Sequence, residues 1–228
     1  MFKNRSNQKE LLDAEQIPET DLFQNLKELH VINSLLGGYQ VSLNALKKID
    51  FYNQPLTLVD IGSGGGDTLK TIFNWSKKNN KEIKLYGIDL KRTCVDYSNQ
   101  NEPNESLNFI CDDYRNIHLH VKEVNIIHAS LFCHHLSSIQ IIELIQFAIK
   151  HKAILIINDL ERNRFAYYSI KFLTKLFSKS YLVKNDAPLS VLRGFKKTEW
   201  LDMIQKAGAK KYTVKNKWAF RHEVVVYG

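Results

Sequence analysis

Most of the chemistry legible in this chain is concentrated in LVDIGSGGGD, residues 58–67. Gly62, Gly64 and Gly66 alternate where an apolar run ends. A glycine turn from a strand into a helix offers backbone N–H groups to a ligand and lets its atoms come close. A dinucleotide site would need a further glycine three residues after the second one, and that position is Asp67. An acid there would oppose a pyrophosphate at the helix N-terminus. Asp60 and Asp67 instead suit a cationic, phosphate-free ligand, and a glycine turn with no ligand is the plain alternative.

Further acids stand at matching places. Asp89 lies 27 residues after Gly62 and ends a second apolar run. There its carboxylate can accept from both hydroxyls of a ribose, cap the next helix, or do both. Asp112 and Asp113 close a third run, as an adenine-amino site or as solvated turn acids, with Tyr114 or Leu90 available to stack on a ring. S-adenosylmethionine, with a sulfonium, an ammonium and no phosphate, fits this set. His134 and His135 occupy a later strand-to-helix junction, where an imidazole could deprotonate a phenol or acid hydroxyl, or simply pack. His135 is the preferred member of the pair. Asp159, beside Asn158, is read as a polar group aimed at an acceptor.

The elements that must position these residues follow from periodicity. Short apolar runs at 56–61, 83–89, 107–111, 123–129 and 153–158 read as strands, alternating with helical stretches at 66–79, 91–100 and 137–150. Residues 163–178 and 196–207 read as helices. The last two strands, 209–217 and 222–227, join through Trp218-Ala219-Phe220. This is a doubly wound, Rossmann-like α/β pattern. Before Pro55 the apolar spacing is helical, so residues 1–54 form a helical lead-in or cap and residues 55–228 the main domain. In the helix at 163–178, Phe165, Tyr168, Phe172, Leu173, Leu176 and Phe177 share one side. That helix is read as packing against the core or a pocket, with a membrane-surface helix as the alternative.

Composition narrows the class. With 44% hydrophobic and 25% charged residues and no long uncharged apolar stretch, the chain reads as soluble, cytoplasmic and without a membrane span. Cys94, Cys111 and Cys133 fit neither a disulfide framework nor a metal knuckle. The histidines form no HExxH, so no metal is expected. Net charge is +8, and all the excess lies at 161–228, where 15 Lys/Arg face 5 Asp/Glu. That third is expected to meet something anionic: a charged substrate, an acidic carrier, a membrane surface or nucleic acid.

LVDIGSGGG, the acid of GID at 87–89, FICDDY at 109–114 and IIHASLFCHHL at 126–136 together resemble the class I S-adenosylmethionine-dependent methyltransferases. Within these, the likeness is to the small-molecule enzymes of ubiquinone, menaquinone and polyketide tailoring. The resemblance implies a seven-stranded sheet, mostly parallel with an antiparallel last strand, under an N-terminal cap. It implies that Asp60 and Gly62, Ser63 and Gly64 hold the methionine end, Asp89 the ribose and Asp113 the adenine, with Ser130 near the methionine. Asp112 stands where a glycine is common. APLSVLRGFKKTEW, 187–200, resembles the loop before the penultimate helix, and Arg193 in it is the candidate partner for an anionic group on the substrate. No [DN]PP[YF] follows the fourth strand, which argues against methylation of nucleic-acid bases. The expected activity is methyl transfer to a hydroxyl of an aromatic, polyketide-like or quinone-precursor molecule. An RNA methyltransferase or a noncatalytic cofactor-binding protein are the alternatives.

Overall fold

A computed structural model describes residues 2–14, 16–49, 55–101 and 106–228. The apolar runs become the strands β1 (Leu56–Ile61), β2 (Ile83–Asp89), β3 (Leu107–Cys111), β4 (Ile126–Ser130), β5 (Ile154–Leu160), β6 (Lys211–Lys217) and β7 (Arg221–Tyr227). They form one seven-stranded sheet in the order β3-β2-β1-β4-β5-β7-β6. The first five are parallel, and β7 lies antiparallel to both β5 and β6. β1 is buried along almost its whole length because both faces are covered, as parallel sheets require. Alternate side chains then serve two cores. Val59 and Ile61 join one layer with Ile141, Leu144 and Trp200, while Leu58 joins another with Leu46, Leu69 and Ile72.

The covering helices are α1 (Glu19–Leu35), α2 (Gly38–Leu46), α3 (Asp67–Lys78), α4 (Arg92–Asn101), α5 (Ile117–His120), α6 (Ser138–Lys150), α7 (Arg164–Phe177), α8 (Tyr181–Arg193) and α9 (Lys197–Lys206). α6 starts at a reciprocal cap, the Ser137 hydroxyl accepting from Gln140 N–H while the Gln140 side chain accepts from Ser137 N–H. Its buried residues Ile141, Leu144, Ile145 and Ala148 are those that the helical spacing predicts. Gly37, at φ +67°, breaks α1 from α2 in the left-handed conformation that glycine adopts without strain. The expected boundary between residues 54 and 55 abuts residues 50–54, which lie outside the described residues.

Two expectations are corrected. The segment 187–200 does not form one loop, because residues 187–193 complete α8. The Ser180 hydroxyl caps that helix by accepting from Val183 N–H, and Pro188 is carried inside it. The large apolar residues of α7 do not pack inward either. Ala166, Tyr167 and Thr174 are buried, while Phe165, Tyr168, Phe172, Leu176 and Phe177 face outward. Periodicity defines the faces of a helix, but here Ala166 and Tyr167 pack with Val191 of α8, and Ile170 and Leu173 line the cavity beside it.

Candidate active site

The parallel strands place two cavities beside their carboxyl ends, where the strand order reverses between β1 and β4. The first, of about 440 Å³, is lined by Gly62, Ser63, Gly64, Asp89, Leu90, Asp112, Asp113, Tyr114 and Ser130, and by Leu26, His30 and Tyr39 from α1 and α2. The sequence-predicted donor residues thus meet at one place, with Asp60 as the exception. A Cβ at Gly62, whose φ is +66°, would run into the Phe132 ring. The Ser63 hydroxyl is buried beside the cavity, with no hydrogen-bond partner among the described residues. A bare backbone cradle and an unsatisfied hydroxyl fit a ligand lying across the loop.

Asp89 holds this loop from the next strand. Its Oδ2 accepts from Gly64 N–H at 2.9 Å and its Oδ1 from Lys91 N–H at 2.9 Å. It therefore caps a turn and faces the cavity at once. Burial raises its carboxyl above the usual range, against those two N–H groups and the Lys91 charge. Asp112 accepts from Asn116 Nδ2 and lies 2.6 Å from His120 Nε2, and these hydrogen bonds hold it down to about 2. Both oxygens of Asp113 accept from the Arg115 guanidinium. Either acid lines the cavity. Asp67 also lines it, with Oδ1 2.9 Å from His30 Nδ1.

Asp60 does not reach the cavity. It is 2% exposed beneath the loop, with Oδ1 2.7 Å from His128 Nδ1, and His128 Nε2 is 2.9 Å from the Ser42 hydroxyl. Asn158 Nδ2 extends the chain by donating to Ser42 and Ser130 hydroxyls and to the Gly38 carbonyl. Asp60 is thus a positioning group, satisfied by a histidine on the neighbouring strand.

The second cavity, of about 480 Å³, is mostly apolar. α1 contributes Leu29 and Ile32, α7 Ile170 and Leu173, α8 Val183 and Val191, and the β6–β7 turn Trp218 and Phe220. Its polar lining includes Glu10, His134 and His135, Asn25 of α1, Ser169 of α7, Asp186 and Ser190 of α8, and Lys217 and Arg221 at the β6–β7 turn. Leu12, Leu29, Leu131 and His135 line both cavities. Leu131, immediately after β4, takes φ +53°, a conformation an L side chain adopts at a cost, and it leads the chain into the turn Cys133–His135.

Each histidine of that turn has an acid on Nδ1. His134 Nδ1 is 2.7 Å from Asp159 Oδ1, and Asp159 also accepts from His134 N–H and Leu160 N–H. His135 Nδ1 is 3.0 Å from Asp13 Oδ1. The two Nε2 atoms converge on Glu10, at 3.7 Å and 3.8 Å. Asp159 is therefore buried behind His134 and does not face an acceptor. His134 fixes Asp159 below the usual carboxylate range. Arg193, expected to meet a substrate anion, is buried and fully engaged: it donates to Asp13 at 2.8 Å and to the carbonyls of His134, His135 and Gln8. It is a strut that ties the amino-terminal segment to the histidine turn.

Glu10 and Asp13 were not singled out in the sequence. Asp186 of α8 brings them here by accepting from Leu11 N–H and Leu12 N–H, both at 2.8 Å, and the Ser190 hydroxyl donates to Glu10. Burial pushes Glu10 up to about 7, against the lowering pull of His135, Arg193 and Ser190. A carboxyl raised in the folded state from its ordinary 4.5 adds stability that is full below about 4.5 and is lost as the pH rises through about 7. The swing is on the order of 3 kcal/mol. Glu10→Gln is therefore expected to flatten the fall in melting temperature between pH 5 and pH 8. An unchanged slope in thermal unfolding would contradict a buried titrating Glu10.

Residues 59–156 match the family model described as a methyltransferase domain. No curated protein matches the chain. Among solved structures, the plantazolicin methyltransferase BpumL in complex with S-adenosylhomocysteine superposes with a TM-score of 0.64 at 18% identity, over 92% of this chain and 90% of that one. Human N-acetylserotonin methyltransferase in complex with S-adenosylmethionine gives 0.62 at 16%, over 92% of this chain and 56% of that one. The citrinin polyketide synthase CMeT domain gives 0.55 at 11%, over 80% and 48%. The sheet order and the glycine-loop cavity define a Rossmann-like methyltransferase fold. Residues 59–156 thus match a methyltransferase domain, and the chain has the fold of the methyltransferases on which it superposes.

Proposed function

We propose that the protein transfers a methyl group from S-adenosylmethionine to a hydroxyl of an apolar small molecule, of aromatic, polyketide-like or quinone-precursor type. The observation that carries this reading is the meeting of a polar, glycine-walled cavity and an apolar one at His135. Gly62 to Gly64 and Ser63 would hold the donor's methionine end, Asp89 its ribose, and Asp112 or Asp113 with Tyr114 and Leu90 its base, under the cover of α1 and α2. When bound, the donor supplies an electrophilic methyl group on a sulfonium. The protein's work is then to align the acceptor and exclude water. Leu29, Leu131 and Leu12, shared by the two cavities, provide the dry boundary.

His135 takes the acceptor proton. Asp13 on Nδ1 fixes the tautomer that leaves the Nε2 lone pair free, and stabilises the imidazolium that forms. His134, held the same way by Asp159, backs it from 4.3 Å between ring centroids. Glu10, lying between the two Nε2 atoms, is placed to share the proton.

The donor atoms of Glu10, His134 and His135 also lie within 4.8 Å of one another, a set that could hold a metal ion. Because proton transfer here needs no ion, a chelator is expected to leave turnover of a phenolic acceptor unchanged. Loss of turnover restored by zinc would reassign the three residues as ligands. The reading as a whole is tested by presenting radiolabelled donor with a panel of phenols. Label in an ether product supports it, and donor binding with no transfer to any of them counts against it.

A further inference from the structure

Among the described residues, the outward face of α7 has no covering partner. Phe165, Phe172, Leu176 and Phe177 are 58% to 76% exposed, and on a helical projection Phe165, Phe172 and Leu176 fall in one stripe over about three turns, with Phe177 at its carboxyl-terminal edge. Contiguous exposed apolar area of this kind marks an interaction surface. Along one side of the stripe run Arg164, Lys171 and Lys175, all exposed, and among the described residues none has a carboxylate partner. Between Glu161 and Asp186 the chain carries six Lys/Arg and no Asp/Glu. Next to the stripe, Leu173 lines the apolar cavity, whose mouth also holds Trp218, 78% exposed at the β6–β7 turn.

We propose that this face of α7, with Trp218, seats the protein on an anionic lipid surface, and that the apolar cavity opens toward that surface. Aromatic rings flanked by lysine and arginine sit well where acyl chains meet anionic headgroups. A second copy of the chain is a poor occupant, because a two-fold contact would bring the same basic row against itself. An acidic carrier protein would satisfy the charge but would leave a row of phenyl rings to be matched by one particular groove. The bilayer satisfies both at once. The arrangement also names the acceptor: an amphipathic molecule with an apolar tail, drawn from the bilayer past Leu173 into the cavity. That last step rests on the function proposed above, whereas the seating on lipid does not.

The test is co-sedimentation with unilamellar vesicles of phosphatidylcholine alone or with one third phosphatidylglycerol, at low and high salt, without any acceptor. The protein is expected to partition to the anionic vesicles only, and less at high salt. The double variant Phe172→Ser/Leu176→Ser, and separately Lys171→Glu/Lys175→Glu, should each lower partitioning at least about tenfold. Both should keep wild-type affinity for S-adenosylhomocysteine, which shows them folded and keeps this test separate from that of the proposed chemistry. Three results would overturn the proposal: no partitioning at low salt, partitioning that ignores both variants, or a wild-type dimer that Phe172→Ser/Leu176→Ser turns into a monomer.

Discussion

Replacing Asp89 by alanine is expected to weaken S-adenosylhomocysteine binding at least about a hundredfold and to remove the ligand's thermal stabilisation at matched concentration. Asp89 does two things that no neighbour duplicates. It accepts from Gly64 N–H and so sets the glycine loop in place, and it accepts from Lys91 N–H at the head of the next turn. Hydrogen bonds to a charged group contribute about 1.5–3 kcal/mol each. Losing the loop contact together with a ribose acceptor therefore approaches 3 kcal/mol, the hundredfold above. Asp89→Asn keeps one carbonyl acceptor and should lose about tenfold. A titration in which Asp89→Ala binds within about threefold of wild type would show that the loop is held by something else.

The second large effect is expected at His135. His135→Ala should lower kcat by about 10²- to 10⁴-fold for a phenol that is neutral at the assay pH, while leaving donor affinity unchanged. For an acceptor already ionised at that pH, the loss should shrink to a few fold, since no proton remains to be moved. A merely structural histidine would penalise both acceptors equally, and equal losses would remove the base from the account. His134→Ala leaves the buried Asp159 carboxylate only the backbone N–H groups of residues 134 and 160 and no imidazole, and it should lower the melting temperature before anything else is read from it.

Both positions could be located in the sequence, whereas the remote partners of His135 could not. The glycine loop, Asp89 and the histidine pair were legible because each sits at a fixed offset from the end of an apolar run, and strand ends are where a doubly wound sheet binds ligands. β1, β2 and β3 have the bounds that their apolar runs predict. What could not be read were partnerships between remote segments. Asp13 and His135 are 122 positions apart, and Ser190 and Glu10 are 180 apart; neither pair leaves a periodic trace. For the same reason Arg193 looked free for a substrate anion, although Asp13 and three carbonyls already occupy it. Asp60 looked like a donor ligand because its strand position was right. Its partner, His128, is buried on the adjacent strand and reads in sequence as one polar residue in an apolar run. In α7 the spacing separated two faces correctly but could not say which one turned inward, a choice made by α8 and the cavity wall.

Calorimetric titration of the wild-type protein with S-adenosylhomocysteine and, in parallel, with a nicotinamide dinucleotide tests the central claim most directly. Asp67 ends the glycine loop at the start of α3 and faces the cavity, so a pyrophosphate would meet its charge there. One saturable site per chain for S-adenosylhomocysteine, at micromolar affinity on the order of −8 kcal/mol, and no heat from the dinucleotide is the predicted result. Binding of the dinucleotide with equal or greater affinity, or no saturable binding of S-adenosylhomocysteine at millimolar concentration, would contradict it.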